Sequence, residues 1–174
     1  YVQRGVPAFM PKRLRTEMAL KCGASAVFEL PVCYATGSAE YFAMGAVSLL
    51  DSLGIVDAVC FGSECNDLDA LSHVADILTR EPDDYRSLLK KSLKKGASFP
   101  TARHEAMLEY TRVPAYAALL DDPNNILGIE YLKSLKRLDS RMVPFTIQRE
   151  GAHYHDQALS PGHLSSASAI RSLL

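Results

Sequence analysis

The sequence predicts an α/β fold, with a parallel sheet covered by helices on both faces. Three observations carry this. Short apolar runs at residues 24–30, 55–61 and 142–148 alternate with longer segments of helical period. The first two runs are apolar on both pleat faces, as in strands buried from both sides. The connections between the runs are long enough for crossover helices, as parallel strands require.

The elements follow in order. Residues 11–22 read as a helix, with Pro11 in its first turn and Gly23 just past its end. Residues 24–30 form the first buried strand, stopped by Pro31. Residues 38–53 are a helix apolar nearly all round, through Phe42, Met44, Val47, Leu49, Leu50 and Leu53, and are expected to be buried against the sheet. Residues 55–61 are the second buried strand, broken by Gly62. Leu68, Leu71, Val74, Ala75 and Leu78 give a helical stripe. Pro82 opens another helix, with Tyr85, Leu88, Leu89 and Leu93 inside and Arg86, Lys90, Lys91, Lys94 and Lys95 on a solvated face. A third helix starts at Pro100 and reaches Thr111, so residues 67–111 read as a helical insertion in one domain, 1–174. The run from Asp121 to Asn125 is a turn and cap, one asparagine serving as N-cap. The helix that follows carries Ile129, Leu132 and Leu135 along one side. In the strand at 142–148, Pro144 near the start predicts an edge strand or one entered late. A last helix starts at residue 165.

The 174 residues are 48% hydrophobic and 22% charged, with a formal net charge of −1. Such a chain has no global field for nucleic acid or an anionic membrane. No apolar run approaches the roughly 20 residues needed to span a bilayer. Cys22, Cys33, Cys60 and Cys65 form no C-x-x-C pair and are expected to be reduced, buried thiols of a cytoplasmic protein. Tyr1 opens in a loop and Leu174 falls in a helix just begun, so both ends read as cut.

In an open parallel sheet the ligand lies beyond the carboxyl ends of the strands. That rule directs attention to Gly62-Ser-Glu64, to the segment after Gln148, and to the loops around residues 34–39. Gly62 lets a flat ring approach the backbone. Two consecutive asparagines, Asn124 and Asn125, exceed what a cap needs, and the spare amide can read a base edge or a phosphate oxygen. Arg149 stands at a strand end, where a guanidinium can hold phosphate. Ser165-Ser-Ala-Ser-Ala-Ile-Arg171 places small residues at a helix start, leaving N–H groups open to an anion, with Arg171 one turn further in. His153-Tyr-His155-Asp156 matches no standard zinc spacing, and no metal site is expected there.

Several strings together resemble the bacterial tRNA(Met) cytidine acetate ligase family. They are Val2-Gln-Arg-Gly-x-Pro7, Arg15-Thr-Glu-Met-Ala-Leu20, Glu29-Leu-Pro31, Tyr34-Ala-Thr36, Ser38-Ala-Glu40, Phe61-Gly-Ser-Glu64, Pro123-Asn-Asn-Ile-Leu-Gly-Ile-Glu-Tyr-Leu132, Tyr154-His-Asp156 and Ser166-Ala-Ser-Ala-Ile-Arg171. The resemblance implies a Rossmann-like nucleotidylyltransferase three-layer fold with a parallel sheet and a helical insertion. It implies an enzyme that uses ATP, with Mg²⁺, and acetate to form acetyl-adenylate. The acetyl group then passes to N4 of the wobble cytidine of elongator tRNA(Met). Position by position, Gly62, Asn124 and Arg149 match the family's ATP contacts. Ser166, Ser168 and Arg171 match the superfamily's second phosphate motif. The family's first strand and its histidine-containing phosphate loop would precede Val2, so the resemblance implies that this polypeptide alone is inactive. Two rival readings share the fold. One is a nucleotidylyltransferase joining ATP to a small phosphorylated substrate. The other is a non-catalytic nucleotide- or RNA-binding module.

Overall fold

The computed structural model describes residues 7–149. They fall into two compact units, residues 7–49 and 50–149, each with its own packing.

The first unit is helical. Helix α1 spans Lys12–Lys21 and ends as the sequence predicts. Gly23 takes a left-handed φ of 102°. Its N–H donates to Leu20 O, and that of Ala24 reaches Ala19 O, which together close a Schellman cap. Residues 24–30 do not form the expected strand: they are irregular and mostly exposed. Among the described residues no strand runs beside them, and an apolar run without a ladder partner leaves its backbone groups unpaired. A short helix, α2, follows at Val32–Ala35, and then α3 at Ala39–Ser52. Only Ala43, Gly45 and Val47 of α3 are buried, while Tyr41 is exposed, so the expected all-round burial is not observed. Gly45 admits the Tyr34 ring: a Cβ there would stand 2.4 Å from Tyr34 Cγ. A concavity of about 1350 Å³ lies in this unit, lined by Phe9, Arg13, Phe28, Val32 and Phe42 among others.

The second unit contains the sheet. Strand β1 (Ala58–Ser63) pairs in parallel with β2 (Val143–Gln148), Ala58 opposite Val143 and Ser63 opposite Gln148. Burial on β1 alternates instead of being continuous: Val59, Phe61 and Ser63 are buried, while Ala58 and Cys60 are exposed. Only one pleat face is packed against helix among the described residues of this unit, which is why the two-sided burial expected from the apolar run is not seen. Among the described residues β2 has β1 as its single neighbour, the edge placement that Pro144 predicts. The cysteines are free, as expected, but none is buried: Cys22, Cys33 and Cys60 are exposed and Cys65 is half-buried.

Helices α4 (Leu68–Arg80), α5 (Asp83–Lys94), α6 (Phe99–Thr111), α7 (Pro114–Ala118) and α8 (Pro123–Arg137) complete the unit. Asp67 caps α4 by accepting from Ala70 N–H at 2.9 Å, and Ser98 caps α6 by accepting from Thr101 N–H. The α4 stripe buries Leu71, Val74, Ala75 and Leu78 against α8, and α5 packs on α6. The hydroxyl of Ser92 on α5 hydrogen-bonds the carboxylate of Glu105 on α6.

Helix α8 lies at the centre of this packing and touches both α4 and β1. Its closeness to β1 depends on Gly128, where a Cβ would stand 2.6 Å from Phe61 Cε2. We expect Gly128→Val to destabilise the fold by about 1–3 kcal/mol through overpacking, with only a few tenths of a kcal/mol regained in helix propensity. A lowered urea midpoint at unchanged slope checks this.

Two buried phenols add a pH signature. Burial pushes Tyr131 up from the ordinary 10.0. Burial also raises Tyr85, against the opposing pull of the Arg103 guanidinium, and the Tyr85 hydroxyl makes no hydrogen bond of good geometry. A folded-state pKa above the unfolded one contributes stability that is complete below pH 10 and is lost as pH rises through the raised values. In a phenolate absorbance titration, Tyr85 and Tyr131 should therefore ionise above the ordinary 10.0, together with loss of near-ultraviolet dichroism.

Candidate functional site

Gly62, Asn124 and Arg149 come together at one rim of the second unit. The rim is formed by the carboxyl ends of β1 and β2 and by the first turn of α8.

Gly62 is the fifth residue of β1 and pairs with Ile147. Its missing side chain has a neighbour: a Cβ there would stand 3.2 Å from Arg149 Cγ and 3.8 Å from Cδ. The arginine stem therefore runs over the glycine. Arg149 N–H donates to Ser63 O at 3.1 Å, carrying the ladder one residue past β2. The Arg149 side chain is exposed, and no carboxylate of the described residues pairs with its guanidinium.

Asn124 reaches the rim through Glu64. Its side-chain Nδ2 donates to Glu64 Oε1 at 2.6 Å, and its backbone N–H reaches the same oxygen at 3.4 Å. The next amide, Asn125 N–H, donates to Glu64 Oε2 at 2.8 Å. The expectation that an asparagine caps α8 is corrected here. Pro123 occupies the first helical position, its ring holding φ near the helical value, so the N-cap falls on Asp122. The two asparagines lie inside the first turn, and the acceptor that satisfies their N–H groups is Glu64, in the turn just after β1 and about 60 residues away.

Asn125 supports the rim from below. It is 1% exposed, and its Oδ1 accepts from Glu64 N–H at 3.0 Å and from Cys65 N–H at 3.2 Å. Its Nδ2 donates to Asp122 Oδ2 at 3.3 Å. Glu64 and Asn125 thus exchange hydrogen bonds, tying the turn after β1 to the start of α8. Gln148 Nε2 adds a bond to Glu64 O at 2.8 Å. Below these, Ser63 and Thr146 share a hydroxyl–hydroxyl bond at 2.6 Å across the sheet, and Ser63 Oγ also accepts from Asn66 N–H.

Glu64, Asn125 and Gln148 are the residues that sequence reasoning misses as functional supports. The only available signal is an acidic residue at a strand end, able to sit on a helix N-terminus. Which helix it meets depends on the fold. The third region expected near a ligand, residues 34–39, belongs to the other unit. Ser166, Ser168 and Arg171, with the 153–156 string, lie outside the described residues. Among the described residues no group of three or more His, Cys, Asp or Glu side chains could hold a metal ion. No described helix is long and apolar enough to cross a membrane.

The rim offers one exposed guanidinium, one glycine strand end and one fixed amide, beside a carboxylate that accepts three hydrogen bonds from the start of α8. Such a set suits a ligand with a flat or hydroxylated part and an anionic part.

The chain is 49% identical over 178 residues to the tRNA(Met) cytidine acetate ligase of Clostridium perfringens strain SM101, covering 98% of this chain and 44% of that protein. To the enzyme of the same name from Caldanaerobacter subterraneus subsp. tengcongensis it is 53% identical over 171 residues, covering 98% and 42%. The chain thus spans less than half the length of these relatives. Among solved structures it matches apo Thermotoga maritima TmcAL with a TM-score of 0.95 at 44% identity, over 99% of this chain and 42% of that one. The same protein bound with α-thio ATP matches with a TM-score of 0.89 at 43% identity, over 99% and 40%. A family model described as HIGH Nucleotidyl Transferase matches residues 1–174, and the chain belongs to that family.

Proposed function

We propose that this chain is the ATP-binding part of a tRNA(Met) cytidine acetate ligase. In this reading ATP sits at the rim of Gly62, Asn124 and Arg149, and Ser166, Ser168 and Arg171 hold phosphate. The observation that carries the proposal is that three residues matched to ATP contacts share one rim, in a chain 49–53% identical to such ligases over 98% of its length. A structural relative is also bound with an ATP analogue.

The chemistry fits the side chains available. Acetate becomes reactive when its oxygen attacks the α-phosphate of ATP, expelling pyrophosphate and forming acetyl-adenylate. That step needs positioning and positive charge, with little covalent help. Arg149 supplies a cation at the strand ends, and Gly62 lets the nucleotide approach the backbone. Mg²⁺ would arrive on the triphosphate, held by phosphate oxygens and water. The cytidine amine of elongator tRNA(Met) then attacks the acetyl carbonyl and releases AMP, which requires the wobble base to be turned out of its stack. The cytoplasm, where that tRNA is charged and used, is the compartment this activity needs.

The test is to incubate the intact protein with ATP, labelled acetate and elongator tRNA(Met). Label in the tRNA together with pyrophosphate release supports the proposal. ATP binding without acetate-dependent pyrophosphate release would leave a nucleotide-binding module instead. Release driven by a phosphorylated small molecule would point to a different nucleotidylyltransferase.

A further inference from the structure

A helix start with two asparagines invites two opposite uses. Its N–H groups can hold phosphate, or its amides can read a nucleoside. The geometry at α8 decides between them.

The N–H groups at this helix start are already committed. Pro123 has none to offer. Those of Asn124 and Asn125 donate to the two oxygens of Glu64, at 3.4 and 2.8 Å. Ile126 N–H is bonded within the helix, to Asp122 O. The helix dipole that would attract a phosphate is therefore already met by a carboxylate belonging to the protein. A phosphate brought there would lose the donors and face a negative charge.

The same carboxylate fixes the Asn124 side chain. Glu64 Oε1 only accepts, so the Asn124 atom 2.6 Å away is the nitrogen. The amide oxygen is the end left over. Among the described residues nothing donates to Asn124 Oδ1. Glu64 is itself locked by Asn125 Oδ1 at its N–H and by Gln148 at its carbonyl. A half-buried carboxylate that accepts three hydrogen bonds, on a residue whose backbone N–H and carbonyl are both bonded, gives Asn124 one orientation, with an acceptor free.

We propose that Glu64 is a positioning residue that holds the Asn124 amide so that its oxygen accepts a hydrogen bond from the nucleoside, while the phosphates fall to the Arg149 side of the rim. The nucleoside carries such donors in two places, the exocyclic amine of the base and the ribose hydroxyls. This inference rests on the proposed ATP site.

The experiment measures binding by calorimetry to the intact protein, unaltered and as Glu64→Ala and Glu64→Gln. The probes are ATP, purine riboside triphosphate (no exocyclic amine), 2′-deoxy-ATP, 3′-deoxy-ATP and inorganic tripolyphosphate. The unaltered protein should prefer ATP over one of the three donor-lacking analogues by about five- to tenfold, the effect of one hydrogen bond. Which analogue loses affinity identifies the donor. Glu64→Ala should weaken ATP about five- to tenfold and shrink that preference below about twofold. Tripolyphosphate binding should stay the same or tighten. Glu64→Gln can still accept from Asn124 and should keep the preference, while tripolyphosphate tightens a few-fold. A structural role alone would weaken all probes together and leave selectivity unmoved. The inference is overturned if Glu64→Ala keeps the preference, if tripolyphosphate affinity falls with that of ATP, or if the unaltered protein shows no preference. Should Glu64→Ala fail to fold, Glu64→Gln decides alone, because tripolyphosphate that binds no tighter counts against the proposal. Absence of ATP binding to the unaltered protein removes the proposed function itself, an outcome distinct from ATP binding with unmoved selectivity.

Discussion

Replacing Arg149 by alanine is expected to weaken ATP binding and acetate-dependent pyrophosphate release by about 2–3 kcal/mol, the cost of losing a hydrogen bond to a charged group. This corresponds to a loss of roughly 30- to 150-fold. The physical basis is the placement of the residue. Its backbone is tied to Ser63 O at 3.1 Å, so the stem starts from a fixed point at the end of the sheet. The stem crosses Gly62, where any side chain would crowd it at 3.2 Å. No described carboxylate neutralises the guanidinium, so its charge is available to an anion. Since the side chain is exposed, the fold should lose less than about 0.5 kcal/mol, and a melting curve separates binding from stability. Arg149→Lys keeps the charge but not the planar fork, and should recover only part of the loss. If alanine leaves ATP affinity and the rate of pyrophosphate release unchanged, Arg149 does not contact the triphosphate.

The same residue shows how much of the site could be read from the sequence. Arg149 follows an apolar run broken at Gln148, and the rule that ligands lie beyond strand ends is enough to single it out. Gly62 is found in the same way. Asn124 is harder, because a proline–asparagine turn before a helix has a sufficient explanation as a cap. What the sequence cannot supply is the reach of Glu64 across 60 residues, which turns those asparagines into one fixed amide and one brace. Fold reading follows a similar division. Helix bounds set by local signals, such as Gly23 after α1, Asp67 before α4 and Pro123 at the start of α8, agree with the structure to within a residue or so. Strand identity depends on a partner. Residues 24–30 and 55–61 look alike as apolar runs, yet among the described residues only the second region contributes to a ladder, with β2 as its partner. Their alternating or irregular burial is set by neighbours far along the chain, and periodicity does not report those.

The largest stability effect should come from Glu130, which no motif singled out for this reason. It sits on α8, 4% exposed, in the midst of apolar packing. Lys133, one turn on, places Nζ 2.7 Å from Glu130 Oε2, close enough for a strong ion pair although the angle is poor for a hydrogen bond. From α6, Arg103 brings Nη2 to 3.8 Å from Glu130 Oε1 while its guanidinium stands over the Phe99 ring, 5.7 Å from the centroid. One carboxylate thus answers two cations, both largely withdrawn from water. Glu130→Ala should cost about 3–5 kcal/mol, because it removes the largely buried carboxylate that both Lys133 and Arg103 face. The double variant Glu130→Met with Lys133→Met should recover part of that cost, since desolvating an ion pair offsets much of its attraction, while Arg103 still loses the carboxylate it faces. Urea denaturation of Glu130→Met, Lys133→Met and the double variant gives the coupling. A Glu130→Ala loss under about 1 kcal/mol would mean that water reaches these charges. A double variant no better than the single ones would place the contribution in side-chain shape. In either case Asn124 and Asn125 stand on the same helix, so the binding rim can be no more rigid than the charge cluster allows α8 to be.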